Sequence, residues 1–130
     1  MKSPMKTIYP NDLVLEMRQL IIEVLDQHKA IDLTTIDLRG RSSLADFLVI
    51  VSGTSSRHLQ TLAEYLETAL KKVHHPILSV EGVQGGDWII LDAASIIVHL
   101  FRPEVRAFYQ LEKMWEVNEE GHGSSSLPEA

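Results

Sequence analysis

The segment Phe47-Leu48-Val49-Ile50-Val51 constrains this chain more than any other. A strand with one face in water alternates apolar and polar side chains, whereas an unbroken apolar run belongs to a strand covered on both faces. Ser52-Gly53 stops the run, and Thr54-Ser55-Ser56 then offers several N-caps for a helix. The apolar positions of that helix, Leu59, Leu62, Ala63, Leu66, Leu70 and Val73, recur three and four apart, and Pro76 is expected to end it. A buried strand feeding an amphipathic helix is the start of a layered α/β domain.

The flanking segments complete the pattern. Asn11 or Asp12 is expected to cap a first helix in which Leu13, Met17, Leu20, Ile21, Val24 and His28 recur at helical spacing. A β-type stretch, Asp32–Leu38, closes at Arg39-Gly40. After the second helix come three short β segments, Ile77–Glu81, Trp88–Asp92 and Ser95–Phe101, the last two close enough for a hairpin across Asp92-Ala93-Ala94-Ser95. Pro103 suits the first position of a final helix carrying Val105, Phe108, Tyr109, Leu111 and Trp115. The order αββαβββα implies one α/β domain, a mixed sheet with packed helices, over residues 11–120. Residues 1–10 read as a flexible leader and the Gly/Ser-rich residues 121–130 as a disordered tail that binding does not need.

Composition removes several functions. With 45% hydrophobic and 23% charged residues the chain can bury a core, which excludes intrinsic disorder. It has no cysteine, so disulfides, thiolate metal sites and thiol chemistry are excluded together. No apolar run is long enough for a membrane span and Met1–Pro10 has no signal-like apolar core, so a cytoplasmic protein without a membrane partner is expected. The 12 basic and 18 acidic residues give a net charge of −6. Through Val80 nine acidic residues balance nine basic ones, whereas from Glu81 onward nine acidic residues face only Arg102, Arg106 and Lys113. Such a half is poorly suited to bare phosphates, so no direct nucleic-acid specificity is expected. It favours either a basic protein partner or simply solubility.

Each chemical motif has a plain structural counterpart. Ser52-Gly53-Thr54-Ser55-Ser56 could hold a phosphate on a helix N-terminus, yet it matches neither the Walker A nor the dinucleotide pattern, and capping explains it equally well. Two-metal phosphoryl transfer needs carboxylates close together, commonly Asp-x-Asp, and no such pair occurs. The six histidines show no metal-ligand spacing. His99 interrupts the apolar strand Ile96–Phe101, so it is either an outward residue on a half-exposed strand or a polar group aimed at a partner or a carboxylate. Alternation puts Trp88, Ile90 and Asp92 on one strand face and Ile89 and Leu91 on the other. A face that pairs Trp with Asp is the less buried one, which leaves Trp88 partly exposed, while Trp115 reads as core.

Six segments taken in order carry a family resemblance. They are Ser42-Ser43-Leu44-Ala45-Asp46-Phe47, Ser52-Gly53-Thr54-Ser55-Ser56-Arg57, Glu81-Gly82, Asp87-Trp88-Ile89-Ile90-Leu91-Asp92, Val98-His99-Leu100-Phe101 and the run from Arg106 to Trp115. Together they resemble the ribosomal silencing factor family, RsfS or Iojap, from about Leu13 to Trp115. The resemblance implies a mixed five-stranded sheet related to nucleotidyltransferases but without their catalytic carboxylates. It also implies a translation repressor that binds the large ribosomal subunit through ribosomal protein number fourteen and keeps the small subunit from joining, for instance when nutrients run short. By position it marks Asp87, Trp88, Ile89, Asp92, His99, Arg106 and Tyr109 for partner contact, with Trp88 and Ile89 as anchors. It calls for no catalytic residue, metal or cofactor. Two other readings stand beside it: a nucleotidyltransferase-like nucleotide-binding enzyme using the Ser52–Ser56 turn and Asp92, and a homodimer formed through the Trp88 surface.

Overall fold

A computed structural model describes residues 10–82 and 85–105. Two helices, α1 (Pro10–Gln27) and α2 (Ser56–Lys72), pack on five strands. The strands are β1 (Ile31–Asp37), β2 (Phe47–Ser52), β3 (Ser79–Glu81), β4 (Trp88–Ala93) and β5 (Ile96–Phe101), in spatial order β1-β2-β5-β4-β3. β2 and β5 run parallel, and every other neighbouring pair is antiparallel. The chain leaves β2 through α2, reaches the far edge at β3, and meanders back through β4 to lay β5 against β2.

All six residues of β2 are buried, as its unbroken apolar run expects. Its two faces serve different layers. Phe47, Val49 and Val51 join Ile89, Leu91, Ala93, Ile96, Val98 and Leu100 under the helices. There they meet Val14, Met17, Ile21, Val24 and Leu25 of α1 and Leu59, Leu62, Ala63, Leu66 and Leu70 of α2. Each such Leu or Ile contributes about 1.5–3 kcal/mol on burial, so this layer decides which sheet face the helices cover. The other face holds a smaller cluster, Leu38, Ala45, Leu48, Ile50 and Phe101, with Ile36, Trp88, Ile97 and Val105 only partly buried against it.

Helix ends depart from the sequence reading in an instructive way. α1 starts at Pro10, which places Asn11 and Asp12 inside its first turn and not ahead of it. Ser55 is the N-cap of α2, and its hydroxyl accepts the His58 amide at 3.0 Å. α2 stops at Lys72, before Pro76 can act: His74 takes φ +60°, its N–H donates to the Lys71 carbonyl and the His75 N–H reaches back to Leu70. This is a Schellman cap with histidine in the left-handed position that glycine usually fills. His74→Gly is therefore expected to stabilise the fold by about 1 kcal/mol, the left-handed cost of a side chain less the extra freedom of the unfolded glycine. Urea unfolding of the two proteins checks it. The final helix is entered at Pro103, where the Val105 N–H bonds the Arg102 carbonyl at 3.0 Å, and the expectations for Phe108, Leu111 and Trp115 lie outside the described residues.

Candidate partner-binding surface

The β4–β5 hairpin builds the site. Its register sets Trp88 opposite Phe101, Ile90 opposite His99 and Asp92 opposite Ile97, all on the face opposite α1 and α2. Trp88 is half-buried, in keeping with the alternation argument, and its ring stacks on Phe101 with centroids 4.8 Å apart. Its indole N–H donates to Nδ1 of His99 at 3.0 Å. His99 in turn lies parallel to Phe101, centroids 5.7 Å apart. Burial of its ring lowers the His99 pKa from 6.5 to about 4. Among the described residues the group His99 meets is thus the indole N–H and no carboxylate.

Arg102 closes the open end of the hairpin. Its main-chain N–H donates to the Asp87 carbonyl and its guanidinium to the Asp87 carboxylate, both at 3.0 Å, and the same guanidinium also pairs with Glu104. These groups are solvent-exposed, so the pair stabilises by only about 0.2–1 kcal/mol and mainly orients Asp87 beside Trp88.

The structure buries one expected contact residue and gives another a role in the turn. Ile89 is 0% exposed and points into the helix-side core, so its side chain cannot anchor a partner while the sheet is intact. Alternation requires this, because Trp88 and Ile89 are neighbours on one strand and only one of them can face outward. Asp92 sits at the far end of β4, where its carboxylate accepts the Ala94 N–H at 3.0 Å and shapes the hairpin turn. It lies four positions on from Trp88, roughly 13 Å along a strand. Arg106 and Tyr109 lie outside the described residues. Phe101 and Arg102 went unmarked in the sequence. Phe101 was within reach, since it shares strand parity with His99, whereas the Arg102–Asp87 pairing depends on the hairpin register.

The geometry also bears on the phosphate reading of Ser52–Ser56. The Gly53 N–H donates to the Phe101 carbonyl at 3.0 Å and the Thr54 N–H to Nδ1 of His58 at 3.0 Å, so two of the turn's amides are taken by the protein itself. His58 is pinned there by a second bond, from Nε2–H to the His28 carbonyl at the end of α1. Register puts Ser52 beside Phe101 and Trp88, and Asp92 beside Ile97 and Leu48. The turn and Asp92 therefore lie at opposite ends of the sheet, and the two halves of that enzyme site do not converge. Among the described residues no three His, Cys, Asp or Glu side chains are grouped to hold a metal ion, and no helix is long and apolar enough to cross a membrane.

Known proteins share both sequence and fold. Residues 12–129 match the family described as "ribosomal silencing factor during starvation", a match that reaches past Trp115 into the Gly/Ser-rich segment. A ribosomal silencing factor from Zymomonas mobilis is 45% identical over 102 residues, covering 78% of this chain and 77% of that protein. A mouse protein named for mitochondrial assembly of the ribosomal large subunit is 35% identical over 74% of this chain, which spans 43% of its length. A crystal structure of a protein from Chromobacterium violaceum superposes with a TM-score of 0.76 at 31% identity, covering 78% of this chain and 85% of that one. The mixed five-stranded sheet, the ordered motifs around Trp88 and His99 and these matches agree: the chain belongs to the ribosomal silencing factor family.

Proposed function

We propose that this protein binds the large ribosomal subunit through ribosomal protein number fourteen and blocks joining of the small subunit by occupying its docking surface, with no chemical step. The contact is the sheet face opposite α1 and α2, around Trp88 and His99, with Asp87 at the open end of the hairpin. The observation that carries this reading is the half-buried Trp88 stacked on Phe101, a large aromatic held in place on the face that α1 and α2 do not cover. Such aromatics are the side chains most enriched among residues that dominate binding energy. The acidic half of the chain begins at Glu81, and its Glu81 and Asp92 lie on strands of this face, which favours a basic ribosomal protein over bare RNA. Self-association through the same face would compete with docking, because an isologous dimer hides it.

Co-sedimentation with purified subunits tests the reading. The protein is expected to travel with large subunits and not with small ones, and to inhibit formation of joined ribosomes. Trp88→Ala is expected to weaken large-subunit binding about thirtyfold, roughly 2 kcal/mol. Trp88→Phe, which keeps a ring against Phe101, should retain the fold and lose less. Binding to small subunits, or undiminished inhibition by a folded Trp88→Ala protein, rejects the assignment.

A further inference from the structure

The hydrogen bond between Trp88 and His99 fixes more than a side-chain position. Nδ1 of His99 accepts the indole N–H at 3.0 Å, and an accepting ring nitrogen carries no proton. A neutral imidazole in this setting therefore holds its proton on Nε2. Neutrality follows from the surroundings: Ile90 and Ile50 flank His99 on the adjoining strands, Trp88 and Phe101 pack against it, and burial alone lowers its pKa to about 4. Among the described residues, the acidic groups on the strands of this face are Glu81, one strand beyond Ile90, and Asp92, opposite Ile97. On the other side Ile50 is followed by Thr34. Nε2 has no hydrogen-bond partner among the described residues. The His99 residue as a whole is partly exposed and not fully buried.

We propose that Trp88 and His99 form one recognition unit, in which the indole N–H locks His99 as the Nε2–H tautomer and that neutral N–H donates to a carbonyl oxygen of the ribosomal protein partner. The inference rests on the function proposed above and names the chemistry of its contact. A carbonyl is the acceptor because Glu81 and Asp92 share this face and disfavour a carboxylate or phosphate, while Arg102 is already engaged by Asp87 and Glu104. Trp88 is then both an anchor and a positioning residue for His99.

The test uses the full chain and purified large subunits at pH 5.5 and 7.5, with nitrogen NMR of the His99 ring in the free protein. The wild-type ring is expected to be the Nε2–H tautomer at both pH values. Trp88→Phe, which removes the indole N–H, should release that preference. His99→Phe keeps a ring and removes both nitrogens, and it should bind large subunits about tenfold more weakly at both pH values. His99→Gln, which returns an N–H near the Nε2 position, should recover most of the loss. An Nδ1–H tautomer or an imidazolium in the free protein overturns the lock. A wild-type advantage over His99→Phe that grows at pH 5.5 overturns the neutral donor in favour of a cationic contact. Equal binding by His99→Phe, while Trp88→Ala still loses affinity, overturns the donor and leaves the function intact. Absence of wild-type binding to large subunits removes the function itself, and the inference with it. Should His99→Phe fail to fold, the tautomer and affinity of Trp88→Phe decide the matter, since an unchanged tautomer there contradicts the unit.

Discussion

Gly82→Ala is expected to lower stability by about 3 kcal/mol or more and the melting temperature by roughly 10 °C. Gly82 ends β3 at φ +90°, a conformation that costs a side chain about 1–2 kcal/mol by itself. An added Cβ would also collide with the main-chain oxygen of Trp88 and crowd its carbonyl carbon. The obstacle is backbone, so no rotamer change relieves it. The β3–β4 loop is held shut by a 3.1 Å bond from the Gly86 N–H to the Gly82 carbonyl, and the strain passes into β4. Trp88 would move with it, so large-subunit binding should fall along with stability. Gly40→Ala isolates the collision from the dihedral. Gly40 has φ +81° with nothing within 4 Å of a Cβ, and its replacement should cost only about 1–2 kcal/mol. Equal losses in the two variants would mean that the close approach of Gly82 to Trp88 has no energetic consequence.

Acid should destabilise the protein through His99 as pH falls from 6.5 towards 4. The folded-state pKa is about 4, against 6.5 for an unconstrained histidine, so between these values the unfolded chain binds the extra proton. The His99 contribution is accordingly level above pH 6.5, declines as pH falls through this window, and levels off again below about 4. The total loss is about 3 kcal/mol, of which about 2 is reached by pH 5. Asp37 acts in a separate, lower window. Its ion pair with Arg39 holds its pKa at about 2, so whatever stability the pair contributes is lost only as pH falls from 3.8 towards 2. Urea midpoints at pH 5.0 and 7.5 for wild type and His99→Gln check the assignment. Wild type should lose about 2 kcal/mol more than the variant over that range, and equal losses would show that His99 is not protected from protonation in the fold.

What local pattern determined is clear from particular elements. The run Phe47–Val51 required a strand covered on both faces, and β2 is one. The three-and-four spacing from Leu59 to Leu70 required the buried face of α2. Alternation separated Trp88 from Ile89 before any tertiary contact was known, because the side-chain period of a strand is two. That same rule should have kept Ile89 from the contact surface, where family resemblance had put it beside Trp88.

Other features depended on how distant segments meet. Nothing local orders the strands β1-β2-β5-β4-β3, and without that order Asp92 and the Ser52–Ser56 turn cannot be assigned to opposite ends of the sheet. Nor does alternation say which of two apolar faces attracts both helices. The partner of His99 is likewise invisible in sequence, since the Trp88 indole reaches it diagonally across the hairpin and only the register of β4 on β5 makes them neighbours. The physical reason is range. Strand and helix periodicities are properties of a few consecutive residues, readable from side-chain type alone. Strand order, the covered face and the tautomer of His99 are set by contacts between segments far apart in the chain, and these exist only once the core has closed.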